Sequence, residues 1–439
     1  MSGLGLKVIL KNVTATLGRQ VISGILQLVT LAIIARTFGP SGNGAYTLAL
    51  LLPTMLATFL NLGVGPANVY FLGANKVNAR HAWRVTFRIS LWLILLGWAI
   101  GAATIHFKSE SFFPGVQQNM LWLSLAFFPL VLITGNISSF FQGLQQFKQF
   151  NIILLLQPVI NLISVGALLI VGINELIYIL IIYFISLLIT QMVAYRLLKK
   201  SINNDLNDIL PSYGKTVLNY GYKAHFSNIL AFINYRADMF ILGYFLGPVP
   251  VGIYVIAVNI AEKLWLFSGA VSTVILPKLS ELSNDEEKRK ELTPLIARWV
   301  LWLTLLAAAI LAIIGSYVID IVFGEQYEEA YSAILLLLPG IVLGACSRVL
   351  ANDMAARGRP DLNLATSWIA VTINIIGNIV LIPSIGLQGA AIATSFAYTI
   401  NFIMRITMHN YFTGVAFYKN IIMGHADYTL VKSFIHKNN

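Results

Sequence analysis

Long apolar runs fill this chain and constrain its fold more than any other feature. A transmembrane helix needs about 20 consecutive, mostly apolar residues, and runs of that length recur throughout the sequence. We count twelve, at residues 16–38, 44–72, 85–107, 119–144, 152–172, 175–197, 220–246, 251–276, 297–322, 330–351, 363–383 and 387–411. They are much longer than the strands of a membrane barrel, and they do not alternate apolar with polar residues. The sequence therefore predicts an all-α membrane protein with twelve transmembrane helices.

The charged residues agree with this prediction. They make up only 11% of the chain, against 57% hydrophobic residues, whereas a soluble domain carries about 25% charged residues. The net charge is +11, but the basic residues lie in short loops, a pattern that sets membrane topology and indicates no nucleic-acid partner. The basic segment Met1–Lys11 is not followed by a short cleavable core, so we expect no secretory signal peptide. With one cysteine, Cys346, and scattered histidines, we expect no disulfide within the chain and no metal site.

The distribution of lysine and arginine predicts the orientation. If the N-terminus is cytoplasmic, 25 of the 29 basic residues fall at inner ends or in inner loops. Both termini are then cytoplasmic. The chain divides into an N-terminal six-helix half at 1–198, a cytoplasmic linker at 199–214, a C-terminal six-helix half at 215–412 and a cytoplasmic tail at 413–439.

The sequence also contains an internal repeat. Residues 38–49 read FGPSGNGAYTLA and residues 246–257 read LGPVPVGIYVIA, identical at five of twelve positions at an offset of 208 residues. Both Gly-Pro turns fall on the outer side, so the repeats are parallel, related by an axis along the membrane normal. We expect two parallel six-helix bundles around a central cavity, with a site near the bilayer midplane.

Ionisable residues inside the apolar runs are candidates for that site, because charges in a membrane are costly and usually functional. Lys263 and Arg236 lie near mid-span, beside Glu262 and Asp238, and Asn259 shares a helix face with Glu262 and Lys263. The cations predict an anion-binding cavity, with Asp238 and Glu262 as candidates for ion coupling. The alternative is that these groups form internal pairs that only hold helices together. Arg236 and Asp238 are about 160° apart on a regular helix, so both cannot face one cavity.

Four further arginines, Arg19, Arg88, Arg348 and Arg405, lie at the inner edge of their spans, and Arg36 lies at the outer edge. Arginines at this depth commonly anchor a helix by extending to the interface. The alternative is that Arg19, Arg88 and Arg348 form an inner mouth that collects an anionic headgroup, and that Arg36 lines the outer mouth.

Four short segments resemble those of a known family. They are ARTFGPSGNGAY at 35–46, NLGVGPA at 61–67, DMFILGYFLGP with VGIY at 238–248 and 251–254, and GLQGAAIAT at 386–394. Together they resemble bacterial polysaccharide transporters, the O-antigen flippases of the multidrug/oligosaccharidyl-lipid/polysaccharide exporter superfamily. AEKL at 261–264 also resembles a pattern of the lipid-precursor branch that has arginine at the position of Lys263.

This resemblance implies a multidrug-exporter-like fold and a flippase without catalytic residues. Such a protein moves undecaprenyl-pyrophosphate-linked oligosaccharide from the cytoplasmic to the periplasmic leaflet of the bacterial inner membrane. No cofactor is expected, and a proton or a sodium gradient could supply the energy. The expected partners are the lipid-linked substrate, the bilayer, a polysaccharide polymerase and a chain-length regulator. Two alternatives remain open: a multidrug or cation exporter of the same superfamily, and a polytopic glycosyl transferase or polymerase.

Overall fold

The computed structural model describes residues 3–173, 175–202, 212–281 and 285–424, together with Asp427. Every regular element in these residues is helical, which confirms the all-α class. The α-helices are α1 (Gly3–Leu60), α2 (Val64–Gly73), α3 (Ala79–Phe112), α4 (Gln118–Leu125), α5 (Phe127–Gly143), α6 (Phe147–Ile170), α7 (Leu176–Ser201), α8 (Tyr213–Leu246), α9 (Pro248–Glu262), α10 (Trp265–Glu281), α11 (Glu286–Val322), α12 (Glu329–Ala356) and α13 (Pro360–Thr413). Short 3-10 helices occupy Glu325–Tyr327 and Phe417–Asn420.

The described part of the chain contains nine helices that are long and apolar enough to cross a bilayer, and the bent pair α9–α10 makes a tenth. Two of the nine are too long for one crossing, because α1 contributes 47 residues and α13 contributes 53, or about 70 and 80 Å at 1.5 Å per residue. Each contains a glycine outside the helical region, Gly39 or Gly386, where two helices meet. If both segments of α1 and both segments of α13 are counted, the number of candidate spans in the described residues rises from ten to twelve. The twelve-span topology stays a prediction.

The helices group into two compact units, Met1–Val255 and Ile256–Asn439. In the first unit, α2 packs against α5 and α8 around a core that includes Ile137, Phe140 and Phe141. In the second unit, α12 contacts α10, α11 and α13. The predicted division into halves stays a prediction. Residues 203–211 of the predicted linker and residues 425, 426 and 428–439 of the predicted tail lie outside the described residues.

The two copies of the sequence repeat share an unusual backbone conformation at their turns. Gly39 has φ 64° and Gly247 has φ 77°, in the left-handed region that glycine adopts at little cost. Each glycine is followed by a proline, Pro40 or Pro248, in the first turn of the next helix, where the missing N–H has no partner to lose. The two copies therefore share a backbone conformation as well as an amino-acid sequence.

The two copies also pack directly against each other. A Cβ atom at Gly44 would overlap the carbonyl oxygen of Pro248, and a Cβ atom at Gly252 would overlap the carbonyl oxygen of Pro40. The two contacts are equivalent, because each glycine meets the proline of the other copy at the same offset in sequence. The buried Asn43 side chain adds a hydrogen bond of 2.8 Å from its Nδ2 to the Gly252 carbonyl oxygen. This reciprocal contact agrees with the parallel-repeat fold.

Candidate functional site

Lys263 lies at a break in its membrane-spanning segment. Helix α9 ends at Glu262, α10 begins at Trp265, and the two axes differ by 45°. Around the break the backbone makes shorter-range hydrogen bonds, from the Lys263 amide to the Ile260 carbonyl at 3.2 Å and from the Leu266 amide to the Lys263 carbonyl at 3.0 Å. The side chain of Lys263 is half-buried, as are those of Glu262 and Asn259. Irregular backbone at membrane depth is tolerated where it is buried in protein or lines a water-filled cavity, and the break at Lys263 is consistent with either setting.

Asp238 is the most buried of the predicted site residues, with 2% of its surface exposed. Its Oδ2 accepts a hydrogen bond of 2.8 Å from the hydroxyl of the fully buried Tyr254, and its Oδ1 accepts one of 2.8 Å from the Met239 amide. Helix α8 is continuous at this point, and the half-buried Arg236 donates to the Tyr235 carbonyl at 2.8 Å. The structure therefore ties Asp238 to the tyrosine of the second repeat, a partner that the sequence pattern did not indicate.

Two of the inner-edge arginines lie beside aromatic rings. The half-buried Arg348 guanidinium is 5.1 Å from the centroid of the Trp265 ring, in the first turn of α10. The half-buried Arg19 guanidinium is 6.0 Å from the Phe150 ring, and its buried Nε has no hydrogen-bond partner among the described residues. Guanidinium–aromatic contacts are weakly attractive and leave the N–H edge available to an anion. Each of these two arginines therefore has N–H groups that can bind an anion.

The other arginines lie in different surroundings. Arg405 donates hydrogen bonds to the hydroxyls of Thr366, Ser347 and Ser367 at 3.2–3.4 Å, which joins the two segments of α13 to α12. Arg88 is exposed on a face of α3 that carries the exposed apolar side chains of Leu91, Trp92 and Leu95. These surroundings favour anchoring for Arg88 and helix packing for Arg405.

Arg36 is exposed on the first segment of α1, three residues before the turn at Gly39. Among the predicted site residues, Arg19, Arg36, Arg88, Arg236 and Asp238 belong to the first compact unit. Asn259, Glu262, Lys263 and Arg348 belong to the second unit. The residues that the structure describes contain no cluster of three or more side chains suited to binding a metal ion.

A buried polar network in the second unit was not predicted. Asp353 is fully buried and accepts hydrogen bonds from Arg357 at 2.6 Å and from Thr293 at 3.1 Å, while Nε2 of His409 lies 3.6 Å away. Arg357 also binds Glu286 at 2.6 Å. Burial alone would lower the pKa of Arg357, but the hydrogen bonds to Asp353 and Glu286 raise it. The network joins α11, α12 and α13, and the sequence offered no signal for it because its members are far apart in the chain.

These features define a multi-pass helical membrane protein with an internal repeat, a broken span and half-buried cations. Its fold is that of known transporters: it matches the Lipid II flippase MurJ in an inward closed conformation with a TM-score of 0.73 and 17% identity, over 89% of this chain and 86% of that one. It also matches an inward-facing multidrug transporter of the MATE family with a TM-score of 0.66 and 13% identity, over 89% and 94% of the two chains.

The family follows from the sequence. Residues 9–283 match the polysaccharide biosynthesis protein family, and the chain belongs to it. A protein from Haloferax volcanii named as the Agl15 flippase of low-salt glycan biosynthesis is 26% identical over 47% of this chain and 45% of its own length. The chain therefore spans less than half of that relative. A protein from Shigella flexneri named as an O-antigen transporter is 22% identical over 88% of this chain and 94% of its own length.

Proposed function

We propose that this protein is a flippase for undecaprenyl-pyrophosphate-linked oligosaccharide, the repeat unit of an O-antigen, capsule or exopolysaccharide. It carries the unit from the cytoplasmic to the periplasmic leaflet by alternating access, without making or breaking covalent bonds. Membership of the polysaccharide biosynthesis family supports the proposal. The names of the relatives from Haloferax volcanii and Shigella flexneri support it as well.

The observation that carries the proposal is the position of Lys263 at the α9–α10 break. A pyrophosphate must cross about 30 Å of hydrocarbon, and an uncompensated anion in such a medium is very costly. The protein must therefore supply positive charge along the route. A lysine at a helix break combines a cation with backbone groups outside regular helical bonding, as in the interrupted helices of transporter sites. In this mechanism Lys263 meets the pyrophosphate halfway, with Asn259 beside it on α9.

Other cations have roles at either end of the path. Arg19 and Arg348, half-buried beside aromatic rings, receive the pyrophosphate at the cytoplasmic side. Arg236 is a further cation of the path, and Arg36 acts at the outer mouth. Asp238 and Glu262 are the candidates for coupling transport to a proton or sodium gradient, and no cofactor takes part. This set of cations would repel a cationic drug, which argues against the multidrug exporter as an alternative.

The proposed location is the bacterial inner membrane, with both termini in the cytoplasm. There the glycan unit is delivered to the periplasmic face, where a polysaccharide polymerase and a chain-length regulator are the partners that would use it. The positive-inside distribution of lysine and arginine supports this orientation.

The test is a flipping assay on the purified full-length protein in liposomes. The liposomes contain lipid-linked oligosaccharide with a fluorophore on the sugar, and a membrane-impermeant quencher reports the fraction in the outer leaflet. We expect the quenched fraction to rise from about half toward completion only when the protein is present. The control is an ordinary phospholipid that carries the same fluorophore on its headgroup. It reports whether the protein moves lipids between the leaflets without selectivity. Protein that is folded and inserted but moves neither lipid, or both equally, would overturn the proposal.

A further inference from the structure

Two tyrosines form an exposed aromatic stack where α2 meets α8. The rings of Tyr70 and Tyr220 are 4.6 Å apart between centroids and only 8° from parallel. Tyr70 is 40% exposed and Tyr220 is 42% exposed. Both lie on the predicted cytoplasmic side, because Tyr70 is near the end of α2 and Tyr220 is near the start of α8. Since each ring covers one face of the other, the exposed area comes from their edges and outer faces.

The surrounding structure fixes this stack in place. Helices α2 and α8 approach so closely that a Cβ atom at Gly63 or at Gly221 would overlap the backbone of the other segment. The hydroxyl of Tyr213 donates to Oδ1 of Asn68 at 2.8 Å, which joins the same two helices. Phe71 contacts both tyrosine rings edge-on, at 5.1 and 5.4 Å. The two rings are thus held on a preformed scaffold, as binding surfaces generally require.

A cation lies at the edge of the stack. Lys76 is exposed, its Nζ donates to the Tyr70 hydroxyl at 2.8 Å, and it lies 4.7 Å from the centroid of the Tyr70 ring. An ammonium group carries three N–H donors and binds phosphate as a compact point charge. Beside Tyr220 the surface of α8 is polar, with Lys215 and Asn219 exposed. The exposed face of α3, by contrast, carries the apolar side chains of Leu91, Trp92 and Leu95.

We propose that Tyr70, Tyr220 and Lys76 bind the headgroup of a glycolipid, with a sugar ring against the tyrosines and a phosphate on Lys76. A pyranose has an apolar C–H face that can pack on an aromatic ring, and a polar rim of hydroxyls that seeks hydrogen bonds. Aromatic rings offer a large rigid apolar face at little entropic cost, and the tyrosine hydroxyls offer polar contacts. This inference rests on the proposed function, since it supplies that flippase with a loading site that reads the sugar.

The competing explanation is an aromatic belt, in which interfacial tyrosines contact lipid headgroups of any kind. The two explanations differ in what they predict for lipids with and without a glycan. A belt affects both lipids alike and depends on any exposed tyrosine at that depth. We call the alternative, in which Tyr70 and Tyr220 together bind a sugar ring, the sugar platform. It affects only the lipid that carries a sugar, and it depends on the stacked pair alone.

The experiment measures binding of two probes to the full-length protein in nanodiscs by native mass spectrometry: lipid-linked oligosaccharide and sugar-free undecaprenyl pyrophosphate. Tyr220→Leu keeps apolar volume but removes the ring. We expect it to weaken binding of the glycan-bearing lipid by about tenfold, the size of one good stacking contact, and to leave the sugar-free lipid unchanged. Tyr220→Phe should retain binding of both probes. Lys76→Gln should weaken both, because both carry phosphate.

Tyr222 supplies the matched control, since it lies two residues along α8 and is 50% exposed. Tyr222→Leu should leave both probes unaffected. Equal losses for the two probes in Tyr220→Leu, or an equal loss in Tyr222→Leu, would overturn the platform. The flipping assay separates the two proposals. If wild-type protein flips the glycan lipid while Tyr220→Leu binds it normally, the platform falls and the flippase stands. If selective binding is observed without flipping, the platform stands as a glycolipid site and the flippase falls.

Discussion

At the scale of single residues, Asp238 is a buried carboxylate whose charge and whose hydrogen bonds can be tested separately. The carboxylate is buried and is held by the Tyr254 hydroxyl and the Met239 amide. Hydrogen bonds of this kind can stabilise a charge that takes part in ion coupling, or they can serve packing alone. Because asparagine can still accept the bond from Tyr254, the charge and the hydrogen bond can be removed separately.

We predict that Asp238→Asn abolishes gradient-driven transport while the thermal unfolding temperature stays near that of the wild type. Tyr254→Phe removes the donor, and we expect it to destabilise the protein by about 1 kcal/mol, typical of hydrogen bonds within membranes, while transport persists. Transport in liposomes with an imposed proton or sodium gradient and thermal-shift measurements provide the two readouts. An Asp238→Asn variant that transports normally would leave Asp238 with a packing role only.

The second residue-scale prediction concerns Lys263. Lys263→Ala should abolish export of surface polysaccharide at a normal level of inserted protein, because it removes the cation at the break in the span. Lys263→Arg should keep much of the activity, since either cation can bind a phosphate group. Arg88→Lys is the matched control, because an exposed arginine that anchors α3 tolerates lysine. Surface polysaccharide and membrane protein level are measured together, and normal export by Lys263→Ala would rule out the role of this cation.

At the scale of the helices, the reciprocal packing of the two repeats gives a prediction with an internal control. A methyl group at Gly44 or at Gly252 would overlap a carbonyl oxygen of the other repeat. We expect Gly44→Ala and Gly252→Ala to disturb the same contact and to reduce flipping to a similar extent. Gly166→Ala is the control, because a Cβ atom there meets no other atom within 4 Å. A large difference between Gly44→Ala and Gly252→Ala would show that the two contacts are not functionally equivalent.

A second element-scale prediction concerns the residues that follow α13 and contact α11, here called the C-terminal segment, which include Ile421, Gly424 and Asp427. The Arg298 Nε donates to both carboxylate oxygens of the buried Asp427, at 2.8 and 2.7 Å, and the Trp302 indole donates to the Ile421 carbonyl at 2.8 Å. Burial alone would raise the pKa of Asp427, but the hydrogen bonds from Arg298 and the Gly424 amide lower it below its usual value. The stability from this pair is therefore complete above the unfolded pKa of about 3.9, and is lost as the pH falls through the lower folded value.

We expect the segment to stay on α11 between pH 7 and pH 5 and to detach only below about pH 4. A bimane label on Ile422→Cys reports this, because Trp302 quenches bimane at short range. The native Cys346 is buried, so labelling is confined to the introduced cysteine. Asp427→Asn should release the segment already at pH 7. Quenching that Asp427→Asn leaves unchanged at pH 7 would show that the ion pair does not hold the segment.

The helices also show where prediction from the sequence ends. Apolar run length predicted the all-α class, and the Gly-Pro repeat predicted two turns, because run length and the left-handed glycine are local properties. The α9–α10 break was not predictable, since no glycine or proline lies at 263–264 and the apolar run continues through it. The Asp353 network and the Tyr70–Tyr220 stack were not predictable either, because each brings together residues from helices that are distant in the sequence.

At the scale of the whole molecule, topology links the sequence, the fold and the proposed function. A parallel repeat requires that the turns at Gly39 and Gly247 lie on the same side of the membrane, since an even number of predicted spans separates them. The positive-inside distribution predicts that both turns lie on the periplasmic side and that both termini lie in the cytoplasm. The contact of Gly44 with Pro248 and of Gly252 with Pro40 supports a common side.

We therefore predict that Ser41→Cys and Val249→Cys, both at exposed positions, react with a membrane-impermeant maleimide added to intact cells. Ala74→Cys, exposed in the loop between α2 and α3, should react only after the membrane is opened, and so should a cysteine added at the C-terminus. Replacing Cys346 with alanine gives a cysteine-free background protein, and total labelling in detergent corrects for the expression level.

Because parallel repeats need equal sidedness, labelling of positions 41 and 249 from opposite sides would contradict the parallel fold. Reaction of both from the cytoplasm would keep that fold but reverse the proposed orientation of the chain in the membrane.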